Sequence, residues 1–424
     1  MKLLPWLLGS LCLLASAQRT ETLAGPTQCR VIWTDDPAHS ATISWTTAGK
    51  SSDNAVLFSY ESRDDAQALF ENTVATHRDG PYTASSRGAA GTDVAYFHHA
   101  LLTGLEPGKT VWFRVRSDET VSREFHFRTA TLGDEPYALL SGGDARTGRA
   151  DRQRMNRLIG TLVEESPEIL AFGHGGDFVF TGTLWSQWDE WLTDLEFSTT
   201  GDGRLLPIIP TRGNHDWGPL FDEVFDTPGG TDQNWYTTEL GQGLALVTLN
   251  TNVSLAGNQE TWLAGELRRL RPHSRWLLAS YHQPAFPAVK LPGLARVVWV
   301  PLFEAFDVDL VLESDGHVIK RTLPIRDETA DPTGVVYVGE GGLGAPQRVP
   351  RTRRWYLEPP AYTGRGAHVM KIDVGLEQLH VRTLGYGVDE ASGLVTEGAE
   401  LETFDEFELA RRAAYPAGEM GEKR

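Results

Sequence analysis

Apolar positions along this chain follow three successive patterns. They run almost unbroken from Leu3 to Leu14, alternate singly between residues 28 and 130, and then gather into short blocks. In the alternating region, Thr42-Ile43-Ser44-Trp45, Val111-Trp112-Phe113-Arg114-Val115 and Glu124-Phe125-His126-Phe127-Arg128 put every second side chain on one face. That is the period of a half-covered strand. Gly49-Lys50-Ser51-Ser52, Gly80-Pro81 and Leu105-Glu106-Pro107-Gly108 separate the runs with turn chemistry. Short strands at this spacing predict an all-β sandwich. His98 and His99 are adjacent, so on a strand they face opposite ways and read as structural rather than as joint ligands.

Beyond Glu135-Pro136 the blocks alternate with helical patterns. Tyr137 to Leu140, Ile169 to Phe172, Leu205 to Ile209, Leu244 to Leu249, Trp276 to Ala279 and Val308 to Leu312 read as buried strands. Asp151 to Glu165, Trp185 to Phe197, Gln259 to Leu270 and Val300 to Phe306 read as amphipathic helices. This alternation predicts a layered α/β domain. Residues 387–424 are polar and acidic, and their composition predicts a partly disordered tail.

The opening apolar run is explained by its flanks. Lys2 precedes it and Ala15-Ser16-Ala17 follows, the plan of a secretory signal peptide over residues 1–17 cleaved after Ala17. Twelve apolar-rich residues fall short of the roughly 20 needed to span a bilayer, and no later segment is apolar for that long. The expectation is a secreted or periplasmic protein with no membrane span. Cys12 would leave with the leader, so Cys29 remains alone and reads as a small buried hydrophobe. Of the 424 residues, 57 are Asp or Glu and 39 Lys or Arg, a formal net charge of -18. That surplus repels long phosphate backbones, so nucleic acid is not an expected partner.

Candidate chemistry sits where the α/β strands end. Five apolar runs finish in Gly142-Gly143-Asp144, Gly175-Gly176-Asp177, Gly213-Asn214-His215-Asp216, Ser280-Tyr281-His282 and Ser314-Asp315-Gly316-His317. Ligands of open α/β sheets bind beyond the carboxyl ends of the strands. Five such segments on one rim would collect carboxylates, an amide and imidazoles. So many like charges are costly unless cations neutralise them. Oxygen and imidazole donors without thiolate suit Zn, Fe or Mn, and the reading is a two-metal hydrolytic site.

On these residues the chain resembles the calcineurin-like metallophosphoesterases, in their purple acid phosphatase-like branch. Gly213-Asn214-His215-Asp216 is the most specific block, Gly176-Asp177 with Gly182 fits a Gly-Asp-x4-Gly segment, and the five blocks follow in the family's order. Leu101 to Thr110, Trp33-Thr34-Asp35-Asp36-Pro37 and Ile43-Ser44-Trp45 resemble its fibronectin type III-like front domain. The resemblance implies a multi-domain fold: an N-terminal β-sandwich over 26–131, then a four-layer αββα metallophosphoesterase domain over 136–386. It implies that Asp177 bridges two metals. Asp144 and His317 would bind the first, and Asn214, His282 and Asp315 the second. His215 would assist the leaving group with Asp216 orienting it, and a metal-bound or bridging hydroxide would attack phosphorus.

Three positions depart from the family pattern. Arg146 stands where a ligand histidine is common, and a guanidinium has no lone pair to offer a metal. Purple members instead use a tyrosine, whose phenolate gives them their colour, where this chain has Phe180, so the first metal is short of one usual ligand; Asp315 replaces a histidine. Arg146 has two readings: it clamps substrate phosphate, or it pairs with a nearby acid and fills the vacant ligand place. His174 reads as a support for the site, and Arg321 as structural. The function expected is an exported phosphoesterase acting on a small phosphate ester, monoester foremost and diester second, with Arg146, Arg212 and the metals supplying local positive charge. A non-catalytic phosphate- or metal-binding protein derived from such an enzyme is the alternative, and Arg146 and Phe180 are its evidence.

Overall fold

The computed structural model describes residues 25–63, 70–83, 95–241, 243–351 and 353–412. The expected leader, with Cys12, lies outside the described residues. The predicted apolar blocks are strands: Tyr137–Gly142, Ile169–His174 and Ile208–Pro210 run parallel in one sheet. Leu244–Thr248, Trp276–Ser280, Leu310–Glu313 and Val336–Gly339 run parallel in a second, seven-stranded sheet.

The pleat sorts side chains between layers. Leu139, Leu246, Leu278, Leu312 and Val338 point into the core between the two sheets. Their chain neighbours Leu140, Val247, Ala279, Val311 and Tyr337 point outward under helices. Arg149–Glu165, Trp185–Leu195 and Leu220–Phe225 cover the first sheet with Met155, Ile159, Trp188, Trp191 and Phe221. Asn258–Leu270, Ala295–Val298 and Val300–Ala305 cover the second with Leu263, Leu267 and Phe303. The result is the expected order of helix, sheet, sheet and helix. Parallel strands buried on both faces explain why these blocks read as continuous apolar runs.

The N-terminal β-domain is joined to this body by a shared sheet. The first sheet has ten strands, and its Ile208–Pro210 edge is continued by Thr27–Ile32, Ser40–Thr47, Tyr96–Thr103 and Arg78–Pro81. Ile32 pairs in parallel with Ile208, and the Trp33 N–H donates to the Ile208 carbonyl at 2.9 Å. A second sheet, centred on Asn54–Ser59 and Thr110–Ser117, completes the sandwich. The front-domain core of Trp33, Trp45, Val56 and Phe113 is continuous with the core between the body's sheets. Buried Arg30 reinforces the seam: Nε donates to the Val224 carbonyl at 2.9 Å and Nη2 to the Tyr82 hydroxyl at 3.0 Å. Cys29 is buried as expected, and burial pushes its thiol up to about 12.

The expected disorder of the tail is corrected over part of its length. Leu401–Ala410 is an edge strand, antiparallel to Gln378–Tyr386. Its acids alternate with Phe407 and Leu409, which pack on the core, while buried Asp405 takes both Nε and Nη2 of Arg321 at 2.7 and 2.9 Å. Half the strand is polar because an edge strand needs to bury only one face.

His98 and His99 prove structural. His98 stacks on Trp45 with ring centroids 5.2 Å apart and bonds to Thr47 and Asp79. His99 lies between the Ser44 hydroxyl at 2.7 Å and the Glu223 carbonyl at 3.0 Å, a pairing that suits a neutral ring. Burial lowers its pKa to about 3, against about 6.5 unfolded. The unfolded chain therefore takes up this proton first as pH falls. The stability His99 contributes is complete above about pH 6.5 and is lost toward pH 3, by about 1.4 kcal/mol per pH unit. Urea unfolding at pH 7 and pH 5 should show a lower midpoint at pH 5, with a shallower pH slope in His99→Gln; equal slopes would contradict this reading.

Candidate active site

All five predicted blocks meet at the carboxyl ends of the two sets of parallel strands. The backbone there is unusual: Asp144, Asp177, Asp315 and His317 have φ of 58°, 57°, 70° and 55°. Left-handed backbone is uncommon for residues with a side chain and concentrates at functional sites. Gly176 makes the crowding possible, since its φ is +95° and a Cβ there would lie 2.7 Å from the Gly213 Cα. Gly182 has the same function against the Gly213–Asp216 loop, where a Cβ would stand 2.6 Å from the Asp216 carbonyl carbon.

One set of donors centres on His282. Its Nδ1–H donates to the Gly175 carbonyl at 2.8 Å, so Nε2 faces inward. Around Nε2 stand Asn214 Oδ1 at 3.1 Å, Asp177 Oδ1 at 3.2 Å and Asp315 Oδ1 at 3.6 Å. Burial opposes a charged His282, but Asp177 and Asp315 outweigh it and raise its pKa well above the usual value, so Nε2 carries a proton that a metal would replace, and imidazole, amide and carboxylate match Zn, Fe or Mn. This set fits a metal. Donor atoms of Asp144, Asp177 and His282 also lie within 4.8 Å of one another. Burial favours a neutral Asp177, but His282 beside it and the His215 N–H outweigh that and hold the carboxyl below its usual range.

The other set is Asp144, Asp177 and His317. The His317 Nδ1 faces the Pro346 carbonyl at 3.3 Å, and its Nε2 lies 3.1 Å from Asp144 Oδ1, a buried oxygen with no hydrogen-bond partner. Arg146 enters this set from the side. Its Nε donates to Asp177 Oδ2 at 2.9 Å and its Nη2 lies 3.3 Å from His317 Nε2. Of the two readings open for Arg146, the contacts of its side chain match pairing with the acid. The Phe180 ring lies 5.5 Å from the guanidinium and closes that side.

His215 is at the mouth, with its side chain one quarter exposed. Its Nδ1–H donates to the Phe180 carbonyl at 2.7 Å, leaving Nε2 toward the site, 4.0 Å from Asp177 Oδ2. The expected role of Asp216 is corrected here. Its carboxylate accepts the N–H groups of Gly213 and Asp177, each at 2.8 Å, and of Phe178 at 3.0 Å. It fixes the loop, and the Phe180 carbonyl orients His215. Burial, with the Asp177 charge, raises Asp216 to about 7. Arg212 is corrected likewise: its guanidinium binds the carbonyls of Asp216 and Gly218 and the Asn234 side chain, clamping the loop from behind. Its position in the motif gave no sign of this. His174 supports the site as expected, accepting the Gly176 N–H at 3.2 Å and stacking on Phe178.

Sequence reasoning missed two further groups. Lys290 forms an ion pair with Asp315, from a loop with no strand-end signature. Behind the site, fully buried Lys320 pairs with Glu313 and, at 2.9 Å, with Glu340, which also accepts the Ala288 N–H. Burial alone would lower the Lys320 pKa, but the two carboxylates raise it.

Comparisons with known proteins agree with this fold. Residues 26–129 match the model of the purple acid phosphatase N-terminal domain, and residues 132–319 match that of the calcineurin-like phosphoesterases. The chain belongs to the calcineurin-like phosphoesterases, in the purple acid phosphatase-like branch that carries this front domain. An uncharacterised protein of Mycobacterium tuberculosis is 27% identical over 289 residues, 58% of this chain and 54% of that relative. Purple acid phosphatase 23 of Arabidopsis thaliana is 26% identical over 288 residues, 58% of this chain and 62% of that relative. The aligned region thus spans a little over half the length of these relatives. Purple acid phosphatase PPD1 of yellow lupin (Lupinus luteus) shares the fold, with a TM-score of 0.71 at 17% identity over 91% of this chain and 74% of that one. The structure of PhoD gives a TM-score of 0.65 at 11% identity, covering 91% and 90%.

Lys320→Met should destabilise the fold by about 3–5 kcal/mol, because it strands two buried carboxylates. Urea unfolding measures this, and a loss below about 1 kcal/mol would mean that the carboxylates find other partners.

Proposed function

We propose that this protein is an exported, metal-dependent phosphoesterase that hydrolyses small phosphate esters, monoesters before diesters. The observation that carries the reading is the convergence of Asp177, Asn214, His282 and Asp315 on one point beneath His215. A metal held there would lower the pKa of a coordinated water and offset charge on phosphorus oxygens. His282 is held in the ligating tautomer by the Gly175 carbonyl. His215, in its protonated form, would carry the mobile proton on Nε2 and give it to the departing alkoxide, since Nδ1 is committed to the Phe180 carbonyl. Exposed Phe180 and Trp217 offer apolar surface beside this histidine for the organic part of the ester. Export rests on the tripartite leader alone.

Chelation should abolish hydrolysis of a chromogenic monoester, and readded Zn, Mn or Fe should restore it. Asp177→Asn should lose bound metal and activity together. His215→Ala should keep its metal while kcat falls by about 10²–10⁴ with the monoester, and by less where the leaving group needs no proton. A purified chain that holds metal yet cleaves neither monoester nor diester would sink the hydrolytic reading. In that case the alternative, a non-catalytic binding protein, takes its place. Full activity in His215→Ala would remove the proton-donor role alone.

A further inference from the structure

The two donor sets differ in a way that bears on how many metals the site takes. The His282-centred set keeps four donors facing one point. The Asp144–His317 set is short of one usual ligand, which the family supplies either from a histidine at position 146 or from a tyrosine at position 180, and neither Arg146 nor Phe180 can ligate. It has gained a guanidinium as well, lying across Asp177 Oδ2 and His317 Nε2 at 2.9 and 3.3 Å.

Resting on the metal-dependent reading above, we infer that Arg146 is the built-in cation of the first metal pocket, and that the chain binds one transition metal, on Asp177, Asn214, His282 and Asp315. Three arguments support this. The first is competition for the same atoms, since a transition metal would sit about 2 Å from the Asp177 and His317 atoms that the guanidinium now contacts. The second is permanence. A guanidinium has no lone pair to offer a metal, so it cannot become a ligand itself. Its side chain is only 10% exposed, and the Asp177 carboxylate and Phe180 ring hold it in place. The third is charge. The rim carries the carboxylates of Asp144, Asp177 and Asp315 against the cations of Arg146 and Lys290, and one divalent ion already turns that balance positive by one. A second divalent ion would add to that excess of positive charge in a buried site.

Asp144 then has a different role from the ligand expected of it. Its Oδ2 accepts the Asp315 N–H at 2.8 Å and holds that ligand segment in its left-handed turn. The Nη1 of Arg146 makes no hydrogen bond among the described residues, and it is the edge left for one oxygen of a phosphate.

The test counts metal. The full mature chain is stripped with a chelator, reloaded with Mn²⁺ and freed of excess by gel filtration. Its metal content is then measured by mass spectrometry and its electron paramagnetic resonance recorded. The expected result is one Mn²⁺ per chain with an uncoupled six-line signal. Arg146→His should bind a second Mn²⁺ and show a spin-coupled signal. Two ions per chain with a coupled signal in the unmodified protein would overturn the inference, and that measurement depends on no variant folding. One ion in both forms, with Arg146→His unfolding like the unmodified protein, would also overturn the part given to Arg146. The two readings fail separately. A chain with one ion and no ester hydrolysis keeps the single-metal inference and loses the hydrolytic one; a chain with two ions that hydrolyses esters does the reverse.

Discussion

The burial of the Asp177 carboxylate is the constraint from which the rest of the site follows. An ion of this size costs several kcal/mol to take out of water, and the cost is met only by well-placed partners. Here they come from separate stretches of chain: Arg146 from the neighbouring strand end, the His215 N–H from the next loop, and His282 from the opposite sheet. No helix or hairpin could supply them locally. The carboxylate is therefore satisfied only when both sheets are packed and their strand ends level. The inter-sheet core of Leu139, Leu246, Leu278 and Leu312 achieves that levelling. The left-handed backbone at Asp144, Asp177, Asp315 and His317 is strain that this packing sustains.

The front domain acquires a purpose from the same geometry. The strand Ile208–Pro210 is short and leads directly into Gly213-Asn214-His215-Asp216. Left bare, its edge would fray, and the loop that carries Asn214 and His215 would move with it. Thr27–Ile32 covers that edge, Arg30 and His99 bond the adjoining helix, and Arg212 with Asp216 fixes the loop from below. The β-sandwich thus acts as a buttress for the Gly213–Asp216 loop.

Much of this was legible in the sequence, and the illegible parts share a cause. The strands and their polar ends could be read because each is local: an apolar run, a glycine, an acid. The same is true of the covering helices, whose periodicity places Leu263 and Leu267 or Trp188 and Trp191 on one face. What a charged side chain touches is a tertiary fact. Arg212 and Arg146 have the same chemistry and stand beside equivalent motifs, yet one clamps a loop and the other enters the metal rim. Asp216 reads as a partner for His215 by adjacency, but its neighbours in space are three backbone N–H groups. Lys290 and Glu340 come from connecting loops with no periodic signal. The strand Leu401–Ala410 was hidden by its acids, since composition speaks of disorder where Arg321 supplies a partner.

Net charge poses the remaining question, because a chain at -18 would seem a poor host for a phosphate ester. The distances answer it. Exposed charges act weakly beyond about 8–10 Å at ordinary ionic strength, so distant surface acids are screened from the mouth of the site. Within reach of a bound phosphate are the acids of the rim, and two of them are already paired with a cationic side chain. Asp177 has Arg146, Asp315 has Lys290, and the Asp315 carbonyl takes a further N–H from Arg348 at 3.2 Å. The chain therefore supplies part of its own positive charge before any ion arrives. Asp315 in place of histidine now has a physical reading. It adds one negative charge to the rim, and Lys290 returns one positive charge on the solvent side, where a substrate anion would approach.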